Sequence, residues 1–112
     1  MQYALLIYGE PGRWDQLSEE ERQTQIREYM ELGGRPETRG GADLAETSTA
    51  TTVRVQDGET VTTDGPFAET KEFLGGLYLV ECENLDDAIE FASKIPAART
   101  GGAIEVRPVI EH

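Results

Sequence analysis

The chain has one cysteine, Cys82, and one histidine, His112, among 112 residues. A lone cysteine excludes an intrachain disulfide, so the core must hold without a covalent staple. A single histidine at the last position excludes a Ser-His-Asp set and leaves Cys82 with no imidazole to activate it; Cys82 reads as a buried thiol in a strand. Positive charge is also scarce: ten Lys and Arg face 22 Asp and Glu, for a net charge of −12. Nucleic-acid binding needs clustered cations to displace phosphate counterions, so no nucleic-acid partner is expected, and an anionic membrane surface is disfavoured. No apolar run approaches the ~20 residues of a membrane span. The run from Tyr3 to Tyr8 is too short for a signal core and has no basic lead. A cytoplasmic protein of one domain, residues 1–112, is the expectation. No phosphate loop, zinc spacing or dinucleotide fingerprint is present, and neither a cofactor nor a metal is expected.

What the chain does have is patterned segments separated by turn formers. "QYALLIYG" (2–9) is nearly continuous in apolar residues, as in a strand buried on both faces in mid-sheet. Ser18 and Glu21 form a capping box at the start of a helix. Ile26, Tyr29, Met30 and Gly33 follow its spacing, and Gly33-Gly34 stops it. Residues 34–46 are rich in Gly and Pro and read as a long loop. Asp57-Gly58 between β-formers predicts a hairpin of 49–55 with 59–64. Its register pairs Val55 with Thr60, Val53 with Thr62, Thr51 with Asp64, and Arg54 with Val61. "GLYLVEC" (76–82) is a further strand. "NLDDAIEFASKIP" (84–96) is an amphipathic helix capped by Asn84, with a stripe of Leu85, Ala88, Ile89, Ala92 and Ile95, ended by Pro96. The last strand, 103–111, alternates, with Ile104, Val106 and Ile110 on one side and Glu105, Arg107 and Glu111 on the other. Pro108 belongs near its end.

The order is β-α-β-β-β-α-β. Without one hairpin arm it is βαββαβ, an α+β, ferredoxin-like arrangement with an extra edge strand or hairpin: an antiparallel sheet with two helices on one face. The other face is uncovered. Leu5, Ile7, Tyr78, Val80 and Val106 supply more apolar side chains than one face needs. A face-to-face homodimer would cover the surplus, and the space between the sheets would then be a pocket for a small-molecule ligand.

The most chemically dense stretch is "TTDGPFAETKEFLGG" (62–76). Asp64, Gly65, Pro66 and Phe67 have a structural reading. Asp64 accepts amides as an Asx-turn, Gly65 supplies an unusual φ, Pro66 fixes the exit, and Phe67 anchors the loop in the core. They also have a functional reading, in which Asp64 at a strand end opens toward the dimer cleft as a catalytic base or ligand group. Glu69, Lys71 and Glu72 are either a solvated loop with weak ion pairs or pocket groups that orient an anion. Asp64, Glu69 and Glu72 have no regular ligand spacing for a hard cation. Arg54 is either an edge-strand solubiliser or an anion anchor. Tyr8 and Trp14 are core packers or one wall of the pocket.

Residues 61–96, with the opening "YALLIYG", the hairpin "TTVRVQDG" and the ending "GGAIEVRPVIE", resemble the YCII-related family, specifically its DGPF branch. The resemblance covers nearly the whole chain and implies a dimeric α+β barrel. It makes 59–64 the core second strand and 49–55 an added edge strand. Some relatives eliminate chloride from a small lactone with a His–Asp pair. That histidine would lie near the start of the first helix, and 18–28 contains none, so the pair does not carry over. The DGPF branch also resembles products found beside extracytoplasmic-function sigma factors, which implies a regulatory setting. Two functions stay open. One is a small-molecule pocket protein, either a binder or a weak lyase-like acid/base enzyme with Asp64 as base and Lys71 or Arg54 as stabiliser. The other is a non-catalytic module whose loops 34–48 and 62–76 contact a regulatory protein partner.

Overall fold

The structure, a computed structural model, describes residues 1–68 and 70–112. Its strands are β1 (Gln2–Gly9), β2 (Thr38–Asp43), β3 (Thr51–Gln56), β4 (Glu59–Asp64), β5 (Phe73–Glu81) and β6 (Ala103–Pro108). The helices are α1 (Glu19–Gly33), α2 (Leu85–Ser93) and the single turn α3 (Pro96–Arg99). β2, β5, β1 and β6 form an antiparallel sheet in that order, and β3 and β4 form a second sheet of their own. The main sheet is the expected α+β, ferredoxin-like layer. Its middle strand β1 pairs with both β5 and β6, which explains the unbroken apolar run in 2–9.

Helix α1 starts where the capping box places it. Glu21 N–H donates to Ser18 Oγ at 3.1 Å, and Ser18 N–H donates to Glu21 Oε1 at 3.0 Å. Its inward stripe differs from the expected one. Leu32 is buried and Tyr29 half-buried, whereas Met30 is 72% exposed and Ile26 is exposed. In α2 the stripe is also turned: Ala88, Phe91, Ala92 and the following Ile95 are buried, and Leu85 and Ile89 lie half out of the core. The aromatic ring outweighs the aliphatic pair here because Phe91 meets Tyr78 edge-on, with centroids 5.8 Å apart at 70°. In β6, Ile104 and Val106 face the helices as expected, but Ile110 lies beyond the strand and is exposed.

The second strand of the sheet is not 59–64. It is β2, from the stretch expected to be loop, and 49–55 is no edge strand of the main sheet. "TRGGAD" carries no alternation because it is held by its neighbour rather than by its own side chains. A Cβ at Gly41 would stand 2.8 Å from Leu77 O, and one at Gly76 would stand 2.9 Å from Ala42 O. β2 and β5 approach closely because both positions lack a side chain. The β3–β4 hairpin forms in the expected register, Val55 to Thr60, Val53 to Thr62, Thr51 to Asp64, Arg54 to Val61, with Asp57 and Gly58 at positive φ.

The core lies between one sheet face and the helices. Tyr3, Leu5, Tyr78, Val80, Leu32, Ala88, Phe91, Ala92 and Ile95 are buried there, with Ile7, Ile104 and Val106 packed against them. Leu5, Ile7, Tyr78, Val80 and Val106 therefore all belong to the helix-covered face and are not a surplus. The surplus is on the opposite face. Alternation and pairing place Ala4, Leu6, Tyr8, Leu74, Leu77, Leu79 and Ala42 there. No helix covers them.

Tyr78 shows what burial does on the covered side. Its hydroxyl donates to Tyr29 O at 2.8 Å. Burial, with the neighbouring Tyr29 and Asp43 adding to it, pushes its phenol up to about 12. A phenol that keeps its proton more tightly when folded stabilises the fold at pH values below its unfolded value of 10.0, and that contribution is lost as pH rises through about 12. Tyr29, raised mainly by burial, acts in the same direction. Chemical denaturation across this window should show wild-type stability falling more steeply than that of Tyr78→Phe; parallel curves would mean the phenol titrates as it does in the unfolded chain.

Candidate functional site

The stretch from Asp64 to Gly76 runs from the root of the hairpin into β5. At the root, Gly65 N–H donates to Ala50 O at 2.7 Å, and Thr52 Oγ1 donates to Gly65 O at 2.7 Å. Gly65 has φ +97°, a conformation that side chains rarely adopt, which is the role expected of it. The turn does not depend on an Asp64 cap: among the described residues the Asp64 carboxylate has no hydrogen-bond partner, and Asp64 is exposed at the end of β4. Phe67 does not anchor the loop in the core. It is 78% exposed, because the loop stands off the body with the hairpin. Pro66 beside it is exposed as well. Arg54 is exposed in β3 opposite Val61. Trp14 lies in a short 3-10 turn, Trp14–Gln16, and is exposed rather than packed in the core.

Where the loop rejoins the sheet, Lys71 and Glu72 precede β5 near the end of β1. β1 ends at Gly9 beside the start of β5, and Tyr8 faces Leu74 across that pair. Lys71 Nζ lies 3.8 Å from Glu10 Oε1, an exposed pair of small energetic weight. Thr70 Oγ1 donates to Glu72 O at 2.5 Å. Glu72 is half-buried, and its Oε2 is fully buried with no hydrogen-bond partner among the described residues. A carboxylate oxygen hidden in this way costs free energy unless another group meets it. Glu69 lies outside the described residues. Tyr8, Lys71 and Glu72 thus share one end of the sheet with Glu10. Asp64 to Phe67 sit at the arm root, and Arg54 and Trp14 stand apart from both.

The sequence reading expected an open face but not the residues that make it. Leu6 lies opposite Leu77 and Glu105, and Ala4 opposite Leu79 and Arg107. Arg107 Nε is 3.7 Å from Glu105 Oε1, which gives this apolar face a polar rim along β6. Alternation within 2–9 and 73–81 carried the signal, since both strands are apolar on both sides. Within one copy, the concave regions lie elsewhere. One open groove of about 390 Å³ runs by Gly33, Arg39, Gly41 and Tyr78; another, of about 280 Å³, lies between Ile89 and Ile104. Among the described residues no three His, Cys, Asp or Glu side chains gather as a ligand set for a metal. No helix is long and apolar enough to cross a membrane.

A chain of this pattern has counterparts. It is 39% identical to an uncharacterized protein of Rhizobium meliloti (strain 1021) across 97% of its own length and 92% of that protein's. The model of the YCII-related domain matches residues 1–112. The glycine-paired sheet, the hairpin and the loop at its root are thus spanned end to end by one family description, and the chain belongs to the YCII-related family.

Proposed function

We propose that the protein is a homodimer closed through the open faces of its two main sheets, with a small-molecule pocket between them. The uncovered apolar face carries this reading. Leu6, Leu77, Leu79, Tyr8 and Leu74, all half-buried, make a contiguous apolar patch over both central strands, and an apolar patch of that kind marks an interaction surface. Two copies related by a two-fold axis present identical patches to each other. Tyr8 stands at the end of this face, and Glu72, whose Oε2 has no partner among the described residues, precedes the strand beside it, so the pocket would be apolar with a few polar groups near its mouth, the usual make-up of a small-molecule site. Its ligand class is a small organic molecule with an apolar body and one polar end. Acid–base turnover there would rest on Asp64, desolvated by the dimer, with Lys71 as the charge that steadies a developing anion.

Light scattering should report a mass near twice 12.4 kDa at micromolar concentration. A thermal-shift panel of small aromatic and aliphatic carboxylates, aldehydes and lactones should contain members that raise Tm, since ligand at ~100 times its Kd stabilises by about 2.7 kcal/mol. Tyr8→Ala should abolish the shift while leaving the ligand-free Tm close to wild type. Asp64→Asn should keep the shift and remove any turnover. A stable 12.4 kDa species removes the pocket altogether.

A further inference from the structure

The β3–β4 hairpin is costly to leave in water. All of β4 is exposed, and so is all of β3 except Thr52. Val53 is 59% and Val55 70% exposed, and the register puts them on one face with Thr60, Thr62 and Asp64. The hairpin forms a sheet of its own and does not join the four-stranded one. A two-stranded sheet by itself is marginally stable at best. Its two ends are tied to each other, through the Ala50–Gly65 and Thr52–Gly65 hydrogen bonds at 2.7 Å, so the strands stay paired down to the root.

The dimensions agree. The molecule measures 45 × 42 × 20 Å, and its radius of gyration is 15.9 Å, against ~13 Å for a compact chain of this length. Its accessible surface is 7785 Å², whereas surface–mass scaling for a monomer of this size gives about 6,100 Å². The excess, roughly 1,650 Å², is about twice the ~800 Å² that each partner hides in a standard interface. The exposed hairpin is the part of the chain that a compact monomer would not leave in water.

We infer that the β3–β4 hairpin is an arm that embraces a second copy of this chain, so that Asp64 and the loop behind it close the pocket of the partner rather than their own. This rests on the dimer proposed above. A second copy is the occupant because the chain carries both halves of the contact: an exposed arm whose Val53 and Val55 have no body to lie on, and an apolar face with no helix over it. A two-fold axis satisfies both halves in both chains at once, with nothing left over. The excess area matches that arrangement, whereas a face-only dimer would leave the valines wet.

The test uses the full chain with a photo-crosslinking amino acid at position 55, prepared in light and in heavy-isotope form, mixed, re-equilibrated and irradiated. Cross-linked peptides that join a light chain to a heavy one are the expected product. Val55→Lys should weaken dimerisation by about tenfold for each of its two symmetry-related sites, with circular dichroism unchanged. A dimer by light scattering whose cross-links all fall within one chain, or that gives none, overturns the arm exchange and leaves the sheet-face dimer standing. A monomer near 12.4 kDa overturns both.

Discussion

Leu77→Asp is expected to split the proposed dimer into folded monomers. Leu77 lies on the open face of β5, opposite Leu6 on one side and Ala42 on the other, at the centre of the four strands. Within its own chain it is only half-buried, so an aspartate there stays hydrated and the fold should survive. In the dimer the same carboxylate would be enclosed without a partner. Losing a buried leucine costs about 1.5–3 kcal/mol, and enclosing a lone carboxylate costs several more. The two-fold axis counts every such change twice. Kd should therefore rise by ~10⁴ or more. Sedimentation equilibrium should show the mass falling toward 12.4 kDa while the far-ultraviolet circular dichroism keeps its shape. A variant that still sediments as a dimer would put the contact somewhere other than this face.

Leu5→Ala should do the reverse, leaving the open face intact and undermining the layer beneath it. Leu5 is fully buried in β1 between Tyr78 of β5 and Val106 of β6, under the helices. Truncating such a leucine removes its transfer free energy and leaves a cavity, at a cost of 2–5 kcal/mol. Domains of this size hold only ~5–15 kcal/mol in total. Tm should drop by roughly 10–20 °C at fixed protein concentration. Ile110→Ala, at an exposed position, is the control and should move Tm little. Near-equal Tm values for the two variants would mean that β1 does not hold the centre of the sheet.

The legible and illegible parts of the fold differ in where their information lies. The Ser18–Glu21 cap and the Asp57-Gly58 hairpin were legible to the residue, because capping and tight-turn geometry depend on side chains a few positions apart. β2 was not legible, because its place depends on β5: Gly41 and Gly76 allow two backbones to meet, and glycine leaves no pattern to read. With that strand hidden, the hairpin was drawn into the main sheet in its place. The site was legible in composition and less so in position. Tyr8 lies near the end of one strand, and Lys71 and Glu72 precede its neighbour, where Lys71 meets Glu10. Phe67 looked like an anchor because large aromatics usually are; it is exposed because it follows the root of a hairpin that forms a sheet apart from the core. The helix stripes were right at Ala88, Ala92, Ile95 and Tyr29 and missed Phe91 and Leu32, for a related reason. Phe91 and Leu32 face a sheet whose contour only the assembled strands define.

The central place of β1 also governs how the molecule comes into being. Leu5 meets Tyr78 on one side and Val106 on the other, so β1 must wait for β5 and β6, which are made well after it. Pairings this distant along the chain form slowly, and they leave an apolar segment uncovered for most of synthesis. The surplus of acidic residues gives the nascent chain mutual repulsion through that interval, a solubility device that acts before there is any fold to protect.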